Sequence, residues 1–375
     1  MSDRFIPVSA PTLVGNEKRY VMDCLDTNWI SARGQYVDRF EQEFAKFCGA
    51  KHGIACTNGT VALHLALLAL GVGPGDEVIV PTLTFVATAN AVRYCGATPV
   101  LVDCEAETWN IDPGLIESRI TPRTKGIIVV HLYGHPVEMD AVMSIAQRHK
   151  LFVMEDAAEA HGALYRGRMA GAIGDIGTFS FFGNKVISTG EGGMITTSDD
   201  KLADTMRQLK EQGVDPKLRY WYPVVGYNYR MTNITAAIGL AQVEKIDWHI
   251  QRRIEIARRY QENLRGIRGL SWQVEKPQTR HVFQFVTVLV NGEAGKTRDE
   301  VIAHLASRQV EGRPVVFPMH TLPPYRDHVR GQKFPVAERI SAQGINLPTS
   351  AGLTREDVDY VSECLTECLA KVRST

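Results

Sequence analysis

Strand-like and helix-like segments alternate through the first two thirds of the chain, and this alternation restricts the fold more than any other feature. Ala62–Leu70 is apolar almost throughout and ends at Gly71, as expected of a buried helix. Four short apolar runs after it are typical of buried strands: Glu77–Pro81, Thr98–Asp103, Gly126–His131 and Leu151–Glu155. Apolar strands separated by helices predict an α/β fold with a mostly parallel sheet covered on both faces. Functional groups of such sheets gather at the carboxyl ends of the strands.

The last third of the chain has a different pattern, which predicts a second and smaller domain. A long charged helix is expected over residues 246–264, followed by an alternating strand at Val282–Val290 and helices near 298–308 and 354–372. We therefore predict a large domain over residues 1–245 and a small α+β domain over residues 246–375. The charged side chains of the long helix are interpreted as a solvated face rather than an anion site: Arg252, Arg253, Glu255, Arg258 and Arg259.

Composition argues against several classes of function. Lysines plus arginines equal aspartates plus glutamates at 42 each, so no global field favours nucleic acid or an anionic membrane as a partner. No segment is apolar over the roughly 20 residues that a membrane span needs, and the opening residues lack an apolar signal region, which predicts a cytoplasmic protein. Cys364 and Cys368 share a helical spacing but have no second pair of ligands. We interpret them as packed thiols and expect no metal site.

One amine and one carboxylate stand where a parallel sheet collects its functional groups. The strand Leu151–Glu155 runs into Asp156, and Lys185 follows Phe181 and Phe182 in a turn rich in glycine. An amine that forms a Schiff base and an acid that keeps a pyridine nitrogen protonated are the two groups that a pyridoxal 5'-phosphate site requires. Taken singly, the residues could be a surface lysine and a strand-end turn residue. Together they favour the cofactor site.

Other residues lie where they could complete this site. Asn58–Thr60 precede the first buried helix, whose amides and dipole favour an anion such as the cofactor phosphate, although an ordinary helix cap has the same sequence. Ser180 could donate its hydroxyl to the same phosphate or be an ordinary strand serine. Phe85 could stack on the pyridine ring or belong to the core. Glu159 could orient Asp156, meet the ring oxygen or be solvated.

Seven segments, in their order and spacing, resemble the DegT/DnrJ/EryC1/StrS family of sugar aminotransferases. The similarity runs from Ile6 to about Val361, which is nearly the whole chain. Many members carry Gln or His where this chain has Glu159. The matching segments are Asn58–Thr60, Pro81–Phe85, Val130–Gly134, Glu155–Ala158, Ser180–Lys185, Thr189–Gly193 and Gly226–Thr232.

The resemblance implies a fold-type-I transferase of the aspartate aminotransferase-like class. Such a chain has a large domain with a mostly parallel seven-stranded sheet, a smaller C-terminal domain, and a homodimer with shared active sites. The resemblance also implies Lys185 as the Schiff-base lysine, Asp156 on the pyridine nitrogen and Phe85 over the ring. It implies phosphate contacts from Gly59, Thr60 and Ser180. It also implies that Asn228 reaches the phosphate in the neighbouring subunit's site.

Five stretches are similar to one branch of this family, whose members aminate C4 of GDP-4-keto-6-deoxy-D-mannose with L-glutamate to make an O-antigen polysaccharide precursor. These stretches are Thr27–Ser31, Phe181–Lys185, Arg219–Trp221, Asn228–Asn233 and Asn346–Thr349. The partners implied are therefore a nucleotide-linked keto-sugar, with GDP favoured as the nucleotide, and L-glutamate. Candidate sugar contacts are Trp29, Ser31, His135, Arg313, Pro318 and His320.

Four other functions are alternatives to this hypothesis. An aminotransferase for a dTDP- or UDP-linked 4-keto-6-deoxy sugar would keep the same site, so the nucleotide stays open. A related sugar 3-dehydratase typically has histidine in place of the Schiff-base lysine, so Lys185 argues against it. A nucleotide-dependent oxidoreductase would show a Gly-x-Gly-x-x-Gly motif after its first strand, and a non-enzymatic member would lack the lysine or carry a DNA-binding segment. None of these features is present in the sequence.

Overall fold

The computed structural model describes residues 5–329 and 331–370 of the 375-residue chain. Its α-helices are α1 (Glu17–Asp26), α2 (Gln35–Cys48), α3 (Gly59–Ala69), α4 (Ala87–Tyr94), α5 (Pro113–Ile116), α6 (Met139–His149), α7 (Asp200–Lys210), α8 (Asn233–Val243), α9 (Ile246–Asn263), α10 (Arg298–Ser307), α11 (Pro323–Arg326), α12 (Pro335–Gln343) and α13 (Arg355–Ala370). Its strands are β1 (His52–Cys56), β2 (Glu77–Pro81), β3 (Thr98–Val102), β4 (Thr124–Val130), β5 (Phe152–Asp156), β6 (Leu164–Tyr165), β7 (Arg168–Met169), β8 (Ile176–Ser180), β9 (Gly193–Thr197), β10 (Leu270–Trp272), β11 (Thr279–Arg280), β12 (Val286–Val290), β13 (Arg313–Pro314) and β14 (Gly344–Leu347).

Seven strands form the central sheet in the order β1-β9-β8-β5-β4-β2-β3. Neighbours from β8 to β3 are parallel, and β9 runs antiparallel to both β8 and β1. Every residue of β2, β8 and β9 is buried, as expected of strands covered on both faces. The structure therefore confirms the predicted α/β class and its mostly parallel seven-stranded sheet.

The predicted strands and helices match those of the structure closely, with one exception near residue 282, and residues 371–372 of the last predicted helix lie outside the described residues. The alternating run Val282–Val290 forms a strand only from Val286 onward. Before it, Phe283 has a φ of 49°, and the amides of Val282 and Gln284 donate to the carbonyls of Gly134 and Tyr133. Residues 282–285 therefore dock on the large sheet's connections instead of extending the small sheet, which periodicity alone could not indicate.

A four-stranded antiparallel sheet in the order β10-β12-β14-β13 lies in the C-terminal part of the chain. Apolar residues of this sheet, α9, α10 and α13 form a separate core cluster, which Ile6 from the N-terminal segment joins. The amide of Ile6 donates to the carbonyl of Gln309 at 2.8 Å. The domain boundary between residues 245 and 246 stays a prediction.

The charged helix α9 is not solvated along its whole length. Side chains of Arg252, Arg258 and Arg259 are partly exposed and form ion pairs, as expected. Arg253, however, is only 2% exposed. The expectation of a solvated face is wrong for Arg253, because its helical spacing from Ile250 and Ala257 places it on the buried stripe of the helix.

Two expectations from composition concern membranes and cysteines. Among the described residues, no helix is both long enough and apolar enough to cross a membrane. The seven cysteines are buried, including Cys364 and Cys368 on the inner face of α13. No group of three or more potential metal ligands occurs within the described parts of the chain.

Candidate active site

A turn between β8 and β9 presents Lys185 above the sheet. The chain leaves and rejoins the sheet at one place, since the amide of Phe181 donates to the carbonyl of Gly192 at 2.8 Å. Phe181 is buried among other aromatic rings and anchors the base of the turn. The side chain of Lys185 is 12% exposed, and its Nζ lies 3.5 Å from Glu159 Oε1. The turn thus delivers one nearly buried amine next to a carboxylate.

Asp156 ends β5, the strand adjacent to β8, and its side chain is held from within the chain. Its Oδ2 accepts a hydrogen bond from Thr88 Oγ1 at 2.7 Å, and its Oδ1 accepts one from the amide of Ala158 at 3.2 Å. Burial raises the pKa of Asp156 above its ordinary value, although these donors and Lys185 oppose the shift. A cation brought against this carboxylate would stabilise its charged form. A protonated ring nitrogen has that property.

Glu159 contacts the amine of Lys185. Its Oε1 faces the amine of Lys185, and its Oε2 accepts a hydrogen bond from the amide of Tyr133 at 2.9 Å. The side chain is 14% exposed, so it is not a solvated glutamate. Glu159 thus stays close to the amine of Lys185, a contact that the sequence did not indicate.

The N-terminus of α3 abuts the end of β8 and forms a cradle. Asn58 caps the helix, since its side chain accepts from the amide of Val61 at 3.0 Å. A Cβ placed on Gly59 would lie 2.8 Å from the Cβ of Ser180, so only glycine permits this close approach. The N-terminus of α3, with Thr60, therefore lies directly against Ser180, an arrangement that favours an anion.

Phe85 and Asn228 are exposed in the single chain. Phe85 follows β2 and is 61% exposed, so it does not belong to the core. Its carbonyl accepts from the amide of Thr88, the residue whose side chain holds Asp156. Asn228 is exposed, and its Oδ1 accepts from Arg230 Nε at 3.0 Å. The role of Asn228 in a neighbouring subunit stays a prediction.

Three of the six candidate sugar contacts lie on exposed surface. Trp29 is 58% exposed, and Ser31 and Arg313 are also exposed. The backbone carbonyls of Trp29 and Ser31 accept hydrogen bonds from Asn233 at the start of α8. Arg313 forms an ion pair with Glu311 at 2.8 Å. These side chains are accessible, and their contact with a sugar stays a prediction.

The other three candidates are engaged within the protein. His135 is 1% exposed, donates from Nδ1 to the carbonyl of Pro136, and burial lowers its pKa to about 4. Pro318 is buried and precedes Met319, whose amide donates to the carbonyl of Thr82 just after β2. His320 lies 2.7 Å from Thr82 Oγ1 and 3.2 Å from Glu338 Oε1. The structure thus gives His135 and His320 structural partners.

Two functional features of the site escaped the sequence reasoning. Thr88 on α4 donates a hydrogen bond to Asp156. In the sequence, only its position three residues after Phe85 could have indicated this contact. Glu155 points away from the site and is completely buried. Its carboxylate accepts from His131 Nε2 and from the amides of Gly171, Ile173 and Gly174 at 2.7 to 2.9 Å. Glu155 therefore fixes the loop at residues 171–174.

Comparison with known proteins gives consistent matches over nearly the whole chain. The DegT/DnrJ/EryC1/StrS aminotransferase family profile matches residues 11–366. The chain is 54% identical to GDP-perosamine synthase of Caulobacter vibrioides and 48% identical to that of Escherichia coli O157:H7, in both cases over 97% of this chain and 98% of the relative. Among solved structures, Streptomyces venezuelae DesV in complex with a ketimine intermediate superposes with a TM-score of 0.89 at 36% identity, covering 94% of both chains.

Proposed function

The chain belongs to the DegT/DnrJ/EryC1/StrS aminotransferase family, and on this premise we propose that it is a GDP-4-keto-6-deoxy-D-mannose 4-aminotransferase that binds pyridoxal 5'-phosphate. It takes the amino group of L-glutamate and gives GDP-perosamine, a precursor of O-antigen polysaccharide. The high identity to two GDP-perosamine synthases supports the substrate. The observation that carries the chemistry is the meeting of Lys185 Nζ with Glu159 at the carboxyl ends of β5 and β8, beside Asp156.

The described residues fit pyridoxal 5'-phosphate at both ends. The cradle of Asn58, Gly59, Thr60 and Ser180 suits the phosphate, because the missing Cβ of Gly59 opens it to the helix amides. Asp156 is 5% exposed and has hydroxyl and amide donors but no ion pair among the described residues. A protonated pyridine nitrogen would supply the positive charge that this buried carboxylate lacks. Phe85 is the aromatic residue available to cover the ring.

When bound, the cofactor supplies an aldehyde that amines can join and a ring that withdraws electrons from the adjacent carbon. The carboxylate of Asp156 holds a proton on the ring nitrogen, which keeps the ring electron-withdrawing. Lys185 Nζ attaches the cofactor and, once released by an incoming amine, removes and returns the proton at the substrate carbon. Glu159 Oε1 holds the released amine near the site by an ion pair.

Exposed apolar side chains support the proposal of a homodimer with shared sites. Val225 is 90% exposed, and Tyr220 and Trp221 beside it are 71% and 59% exposed. This segment leads directly to Asn228, for which a role in the neighbouring site is proposed. Apolar surface of this kind is costly in water and is typical of an interface. The cytoplasmic location expected from the sequence stays a prediction.

A panel of GDP-, dTDP- and UDP-linked 4-keto-6-deoxy sugars tests the substrate. Each is incubated with L-glutamate and the holoenzyme, and the mass of the amino-sugar product and the formation of 2-oxoglutarate are measured. We expect the GDP-mannose-derived keto-sugar to be turned over fastest. Preference for a dTDP or UDP sugar would replace the proposed substrate and leave the aminotransferase activity intact. No amino product with any sugar would contradict both.

A further inference from the structure

Three side chains from outside the turn hold the backbone at Lys185 and the residue before it. The buried guanidinium of Arg253, on α9, donates from Nη2 to the carbonyl of Lys185 at 3.2 Å and from Nη1 to the carbonyl of Gln284 at 2.8 Å. The side chain of Gln284 donates to the carbonyl of Asn184, which Ser9 Oγ also contacts at 3.1 Å. Two successive carbonyls of the turn are therefore held by residues distant in the sequence.

The same residues also lead back to the amine of Lys185. The amide of Gln284 donates to the carbonyl of Tyr133 at 2.8 Å, and the amide of Tyr133 donates to Glu159 Oε2 at 2.9 Å. Glu159 Oε1 lies 3.5 Å from Lys185 Nζ. The hydrogen bonds thus form a closed circuit that runs from the carbonyl of Lys185 through Arg253, Gln284, Tyr133 and Glu159 to its own amine.

Arg253 is an unusual residue for a purely structural role. It is 2% exposed and forms no ion pair among the described residues. Burial lowers its pKa to about 10, so the guanidinium stays charged at neutral pH. A buried charge is costly unless its hydrogen bonds are satisfied, and the partners of Arg253 are two backbone carbonyls. A planar guanidinium can bridge two such acceptors in fixed geometry, which an ammonium group cannot.

We propose that Arg253 is a positioning residue that fixes the backbone of Lys185 relative to Glu159, so that the amine moves between Glu159 and the cofactor aldehyde from a stationary Cα. This inference rests on the proposed function. In the covalent step, Lys185 Nζ forms a C=N bond with the aldehyde carbon, and the aldehyde oxygen leaves as water. A displaced Lys185 backbone would slow this step, because misplacement by about 1 Å can cost up to about 100-fold in rate.

Arg252 provides a matched control on the same helix. It also donates to two backbone carbonyls, those of Ala351 and Leu353, but neither belongs to the Lys185 turn. Apo-enzymes of the wild type, Arg253→Met and Arg252→Met are compared with two probes. The rate of covalent capture of pyridoxal 5'-phosphate is followed by absorbance and borohydride trapping. The affinity for pyridoxamine 5'-phosphate, which cannot join the lysine, reports on the cradle alone.

We expect Arg253→Met to slow covalent capture roughly tenfold or more while its affinity for pyridoxamine 5'-phosphate stays within about twofold of the wild type. Arg252→Met should match the wild type in both measurements. Arg253→Lys, which keeps the charge but not the fork, should be intermediate in capture rate, and it decides the question if Arg253→Met does not fold.

Unchanged capture by the Arg253 variant, or an equal loss in capture and in affinity for the amine form, would overturn the inference. A wild type that captures no pyridoxal 5'-phosphate would instead contradict the proposed function itself. The two failures are therefore distinguishable.

Discussion

The two faces of β5 use carboxylates in opposite ways. Glu155 and Asp156 are adjacent and both buried, but alternation along a strand sends their side chains to opposite faces. Glu155 accepts hydrogen bonds from four donors, which are His131 and three backbone amides. Asp156 accepts from two, the Thr88 hydroxyl and one amide. Burial raises the pKa of both carboxyl groups. The donors outweigh burial at Glu155, so its pKa is lowered, whereas the pKa of Asp156 stays raised.

The difference shows on which face of β5 the protein itself supplies all the hydrogen-bond donors that the carboxylate needs. On the Glu155 face every lone pair finds a donor, so the carboxylate stabilises the loop at 171–174 and needs no ligand. On the Asp156 face the chain leaves a buried carboxylate short of positive charge, next to the amine of Lys185. A buried carboxylate whose charge the protein alone does not balance is suited to binding a positively charged ligand group. Substitutions on the two faces should therefore affect different measurements.

The largest effect is expected for Lys185→Ala, at the proposed cofactor site next to Asp156. It removes the amine that attaches the cofactor and moves the substrate proton, so covalent capture should vanish and turnover should fall by about 1000-fold or more. Absorbance of the reconstituted protein and product mass measure the two effects. As a control, pyridoxamine 5'-phosphate should still bind with near wild-type affinity. A variant that still traps pyridoxal 5'-phosphate covalently would contradict the role of Lys185.

Asp156→Asn should lower turnover by about 100-fold while leaving covalent attachment of the cofactor intact, because the ring nitrogen loses its acidic partner but Lys185 is unchanged. Steady-state kinetics and borohydride trapping separate the two. The stability of the apo-protein should not fall at neutral pH. The raised folded-state pKa means that this carboxylate contributes stability that is present below pH 3.8 and lost as pH rises through the folded pKa. A variant with wild-type turnover would refute the assignment.

Glu155→Gln should lower the free energy of unfolding by about 2 kcal/mol, because the amide cannot accept from all four donors and hydrogen bonds to a charged group are lost. Urea unfolding measures this change, and the folded fraction should still capture the cofactor. The lowered folded-state pKa implies a contribution that is present above pH 4.5 and lost as pH falls. The difference between wild type and variant should therefore shrink in acid. A constant difference far below pH 4.5 would contradict the charged role.

The smallest effect is expected at the exposed segment that leads to Asn228, which would complete the cofactor site of a second subunit. Val225→Asp should weaken the homodimer roughly tenfold, since a charge replaces an apolar side chain that is 90% exposed in one chain. Sedimentation at several concentrations measures the change. Leu115→Asp on α5, which follows β3 at the opposite edge of the sheet, serves as the control and should leave the dimer intact. Equal behaviour of the two variants would contradict the interface.

Local patterns of sequence were enough for the architecture, and they also led to the residues of the proposed site. Apolar runs predicted β2, β3, β4 and β5 to within a few residues, because strands buried on both faces must be apolar throughout. Asp156 and Lys185 were singled out because Asp156 ends one strand and Lys185 stands in the turn after another, both within a distinctive series of motifs, and their roles stay predictions. The capping residue Asn58 was also readable from its position before an apolar helix.

Only the tertiary structure decided which side chains are engaged by distant partners. Arg253 looked like one of several solvated arginines, and His135 and His320 looked available for a sugar. The partners of Arg253 and His320 are contributed by segments far away in the chain, Gln284 for Arg253 and Thr82 for His320, and burial by the surrounding protein makes His135 inaccessible. A sequence fixes local propensity and the face on which a residue lies, but the burial and charge of a side chain depend on which remote segments pack against it.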